Sequence, residues 1–134
     1  MATEKPIGIA LIICDRVIID AKTNEKTLVG IFNQINAQRF PAVHPRLSIF
    51  VSVTGGRGNV KGEIRCFNES SPDKTVFGAS GPISFVDPNH VFEITFELRN
   101  VGLPEPGVYN VQFLCDGELV FLRRFHVQGL KPRQ

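Results

Sequence analysis

The sequence predicts an all-β fold, an Ig-like antiparallel β-sandwich of about eight or nine strands with little helix. Residues 91–99 give the first reason. Phe92, Ile94, Phe96 and Leu98 fall on one parity, and Glu93, Thr95, Glu97 and Arg99 on the other. Successive side chains of a strand point to opposite faces, so this segment has one apolar face and one wet face. The second reason is recurrence, because similar segments fill the chain between turn-forming breaks. The third is Gly107-Val108-Tyr109, which holds the only Tyr and enters the penultimate strand after a long connection. That placement predicts a tyrosine corner, its hydroxyl bonded to a backbone group upstream.

The first strand is the apolar run Ile7-Gly8-Ile9-Ala10-Leu11-Ile12-Ile13-Cys14, continued in extended form through residues 15–20. The run is too short to span a bilayer, and it lacks the net-positive start and small-residue cleavage site of a signal peptide. A polar turn over residues 21–26 leads to a second strand at residues 27–32, and residues 34–40 extend it or bend away. Pro41-Ala42-Val43-His44-Pro45 is expected to break the ladder, since proline donates no backbone hydrogen bond. In the central strand Leu47, Ile49, Val51 and Val53 share one parity, opposite Ser48, Ser52 and Thr54. Phe50 breaks that pattern and predicts cover on both faces at mid-strand.

Gly55-Gly56-Arg57-Gly58-Asn59 reads as a hairpin turn, where Gly accepts positive φ. Val60, Ile64 and Cys66 then alternate with Lys61, Glu63 and Arg65. Residues 75–79 and 83–85 read as short edge strands around Gly81-Pro82, and Asp87-Pro88-Asn89 turns the chain into residues 91–99. Residues 100–107, with Pro104 and Pro106, are expected not to pair regularly. Tyr109, Val111, Phe113 and Cys115 alternate next, and Asp116-Gly117 is a two-residue hairpin signal. In the last strand a bulge at Arg123-Arg124 would turn Val120, Leu122, Phe125 and Val127 inward together.

At 134 residues the chain reads as one domain, residues 1–134 with an ordered core over about 7–128, long enough for a self-sufficient core. Eleven Phe, one Tyr and no Trp favour a dry interior, because Phe buries a large area without a polar atom to satisfy. The net charge of +2 is scattered, so no basic surface for nucleic acid is expected. Lys131-Pro132-Arg133 reads as a solvated tail. The odd number of cysteines, Cys14, Cys66 and Cys115, without a C-x-x-C pair argues against a disulfide framework or a zinc site. All three read as small buried hydrophobes of a cytoplasmic protein.

Leu28-Val29-Gly30-Ile31-Phe32 and Phe40-Pro41-Ala42-Val43-His44-Pro45-Arg46-Leu47 resemble a bacterial family of small single-domain proteins of unknown function. Pro106-Gly107-Val108-Tyr109, Asp116-Gly117-Glu118 and Arg124-Phe125-His126-Val127 are similar to the same family's ending. The resemblance runs from about Leu11 to Val127 and is most specific in the Phe-Pro-Ala-x-His-Pro-x-Leu segment. It implies a bacterial β-sandwich and supplies no activity.

The motifs of catalysis fail one by one. His44 lies between two prolines but has no partner at catalytic spacing. The aspartates form no calcium loop, and the serines lie in no nucleophile context. Gly55-Gly56-Arg57-Gly58 leads into a strand rather than the helix a phosphate loop requires. No catalytic residue, metal or cofactor is expected. The sequence therefore points to a non-catalytic interaction or assembly module whose partner is protein, foremost another copy of itself. Residues 7–13 are apolar on both parities, which nominates Ile7, Ile9, Leu11 and Ile13 for an associating edge strand. The alternative is a small-ligand or enzymatic site at a loop end holding His44, Arg46 and Arg57.

Overall fold

The alternating segments fold as nine strands in the computed structural model, which describes residues 4–130, so the tail at residues 131–133 lies outside the described residues. The strands are β1 (Ile7–Ile19), β2 (Lys26–Ile31), β3 (Gln34–Ala37), β4 (Ala42–Thr54), β5 (Gly58–Asn68), β6 (Thr75–Phe85), β7 (Val91–Leu103), β8 (Gly107–Cys115) and β9 (Glu118–Gly129). They form two layers, a four-stranded sheet in the order β2-β1-β4-β7 and a five-stranded sheet in the order β3-β9-β8-β5-β6. Every pairing is antiparallel except β3 with β9, which is parallel. Leu47, Ile49, Val51 and Val53 of β4 face Ile64, Tyr109, Val111, Phe113 and Phe125 of the other layer in one apolar core. Cys14, Cys66 and Cys115 are free and buried within it or beside it, as their strand positions predict.

Two features of β1 depart from simple alternation. Its register on β4 shifts between Gly8 and Ala10, a bulge that inserts Ile9 and reverses which parity faces the core. Gly8 therefore faces inward, where a Cβ would collide with the Phe121 ring. The second feature is a fold-back. Lys26 at the start of β2 pairs with Ile19, and Ala10 aligns across β4 with Glu93. A straight β1 would hold those two points about 30 Å apart at ~3.3 Å per residue. Instead Lys26 Nζ meets Glu93 Oε1 at 2.6 Å, so the β1–β2 hairpin doubles back over the outer face of its own sheet. Phe50 on that face is only 7% exposed and Ser48 1%, which accounts for the apolar residue on the wrong parity of β4.

The Tyr109 hydroxyl donates to the Glu105 carbonyl at 2.6 Å, making the tyrosine corner, and the ring stacks on Phe125 at 5.3 Å between centroids. Asp116 and Gly117, both at positive φ, close the two-residue turn between β8 and β9. Three expectations about connections need correction. Residues 55–57 are not a hairpin turn, because β4 and β5 belong to different layers. The ladder also survives its prolines: Val43 and His44 pair with Gly102 and Val101, and only Pro45 opposite Asn100 drops out. Regular pairing of β7 accordingly continues to Leu103. In β9 the bulge falls at Val120 rather than at Arg123-Arg124, so the inward set is Phe121, Arg123, Phe125 and Val127.

Candidate functional site

The four residues nominated on β1 are divided by its bulge. Leu11 and Ile13 are 1% and 0% exposed and belong to the core, whereas Ile7 and Ile9 are 67% and 49% exposed. They cannot form one associating face. β2 and β4 flank β1 as a whole, but β2 pairs only with residues 14–19, so over residues 7–12 the ladder runs on the β4 side alone. Where β2 falls short of residues 7–12, an inward-pointing arginine closes the seam. Arg123 donates from Nη1 to the Leu11 carbonyl at 3.3 Å and from Nη2 to Asn33 Oδ1 at 2.8 Å. A charged side chain turned toward a strand edge is a known block to further pairing.

The alternative site also divides. Arg57 begins the chain's passage into β5 and bridges to Glu4, at the opposite end of β4 from His44 and Arg46. His44 and Arg46 do come together, on strand rather than loop. With Asp15, Pro45 and Arg99 they line a hollow of about 310 Å³ on the outer face of the four-stranded sheet. Arg46 grips Asp15 through two bonds, Nε to Oδ1 at 3.3 Å and Nη2 to Oδ2 at 2.9 Å. That grip holds the Asp15 carboxyl below its usual range. The His44 ring lies 5.7 Å from that of Phe32, and burial pushes its pKa down. Among the described residues, no three His, Cys, Asp or Glu side chains gather as a metal ion requires.

A further feature carries no motif in the sequence. β7 pairs only with β4, so its far edge is open along all 13 residues. Beside that edge the two layers do not meet fully. A slot of about 200 Å³ opens between Phe92, Ile94 and Phe96 of β7 and Gly62, Gly81 and Ile83 of the other sheet. Phe92 closes one end by meeting Phe85 edge-on at 5.5 Å. Gly81 has no atom within 4 Å of the place a Cβ would occupy, which leaves the slot empty on that side. The facing edge, β6, contains Pro82 and so lacks one ladder donor, while β7 contains no proline. The alternation of residues 92–98 was readable as strand; that its apolar face would stay half covered depends on Gly62 and Gly81 lying opposite each other.

Residues 9–128 match DUF6941, described as a family of unknown function. No curated protein matches the chain. Among solved structures it is similar to the sensor domain of the anti-sigma factor RsgI4 of Pseudobacteroides cellulosolvens. The identity is 14% and the TM-score 0.43, over 93% of this chain and 96% of that one.

Proposed function

We propose, from the premise that the chain belongs to the DUF6941 family of unknown function, that it is a non-catalytic interaction module accepting an extended strand along β7. The observation that carries this reading is the juxtaposition of an unpaired 13-residue edge with an empty apolar slot. Strand addition draws affinity from main-chain hydrogen bonds and specificity from pockets for alternate side chains, and β7 offers both. A guest strand would complete the ladder and cover Phe92, Ile94 and Phe96. The guest in this reading is β7 of a second copy, because a two-fold axis lets one self-complementary edge serve both partners.

Three features support an Ig-like reading of the sandwich: β4 lies beside β7, β5, β8 and β9 adjoin in one sheet, and Tyr109 forms its corner. The buried free thiols support work in a reducing, cytoplasmic setting. Sedimentation velocity over a roughly hundredfold concentration range tests the pairing, since mass action must shift a real dimer. The expected result is a discrete dimer that Ile94→Lys, with its charge at the slot, converts to a folded monomer. A monomer at every concentration refutes self-pairing.

A further inference from the structure

We infer that the hollow beside His44 binds an oxyanion, the carboxylate or phosphate group of a small molecule, between Arg46 and Arg99. This site stands apart from the β7 slot, on the other face of the sheet. Arg46 and Arg99 are direct cross-strand partners on β4 and β7. Like charges so placed destabilise a sheet unless something neutralises them. The one acid lining the hollow is Asp15, and both its oxygens are already taken by Nε and Nη2 of Arg46. Arg99 forms no ion pair with any described residue; even Glu97, two positions earlier on the same face, does not reach it. The result is a concave site with one guanidinium fully free and the Nη1 of a second still available.

Guanidinium forks match carboxylate and phosphate oxygens in pairs, which a lysine at either position would not do. The surroundings set the size of the ligand. A second hollow of about 320 Å³ adjoins the first through His44 and Pro45 and adds Arg39 and Gln38 to its walls. The two together suit a small molecule that places its anion at Arg99 and extends past His44. Asp15 fixes the Arg46 fork, so one arm of the clamp is preorganised before the ligand arrives.

The test is NMR of the arginine Nε–Hε signals during titration with sodium phosphate and, separately, sodium citrate, against sodium chloride of equal ionic strength. The expected result is saturable movement of the Arg99 and Arg46 signals, with affinity about tenfold or more weaker in Arg99→Gln. Arg99 is exposed, so that variant keeps the fold. Saturation by phosphate alone or citrate alone sustains the proposal and identifies the group recognised. Movement no different from chloride, or saturation unchanged in Arg99→Gln, overturns it.

Discussion

Replacing Gly81 by isoleucine should stabilise the protein and, at the same time, abolish the self-pairing proposed for β7. Gly81 lies across from Gly62 on the inner face of β6, its φ is not positive, and nothing stands within 4 Å of an added Cβ. Full burial of an isoleucine side chain is worth about 1.5–3 kcal/mol, and a slot open on one side returns roughly half of that. Removing glycine from a strand interior adds about 0.5–1 kcal/mol, and freezing the new side chain costs about as much. The net gain is about 1 kcal/mol, equivalent to a rise in Tm of roughly 4 °C for a chain of this size. Urea unfolding reads the stability, and sedimentation velocity on the same samples reads the association. A loss of stability would show that the slot is not free volume. A gain in stability with association intact would show that no guest side chain anchors there.

Tyr109→Phe should cost about 1 kcal/mol, because the Glu105 carbonyl loses its donor; thermal unfolding checks this, and an unchanged Tm would mean the corner contributes nothing. Leu11→Lys should leave no folded protein by circular dichroism, since it puts an unpaired charge at a core position. A folded Leu11→Lys protein would contradict the bulge that turns this residue inward. The Asp15 carboxyl has a folded pKa below its ordinary 3.8, so its contribution is present above that value and is lost as pH falls through the lower folded one. Asp15→Asn should therefore flatten the acid limb of the stability-versus-pH curve, more clearly at low salt, and an identical limb in both proteins would rule the pair out as a contributor.

Strand by strand, the sequence was most legible where one face is wet and the register is unbroken, as in residues 92–99. Phe50 was legible for the opposite reason: an apolar residue on the polar parity announced a cover, which the folded-back hairpin supplies. What failed were positions decided by a single inserted residue. Ile9 in β1 and Val120 in β9 are bulges, and one extra residue exchanges the faces of everything beyond it. No local composition distinguishes Ile9 from its neighbours, so Ile7 and Leu11 looked equivalent although one faces solvent and the other the core. The sites were harder still. Arg46 and Arg99 are 53 positions apart, and only the β4–β7 register sets them side by side.

The course of the first and last strands has a mechanical consequence. Lys5 donates to the Leu119 carbonyl at the start of β9, while Gly129 at its end pairs with Ala37. The described segment thus enters at one end of the sandwich and leaves at the other, roughly 35 Å away at ~3.3 Å per residue. Tension applied through both ends would run along β1 and β9 rather than across them. Their ladders to β4 and β8 would then be loaded in shear, many hydrogen bonds at once, instead of being unzipped one by one. Strung in series with other segments, such a domain would behave as a stiff link that transmits force.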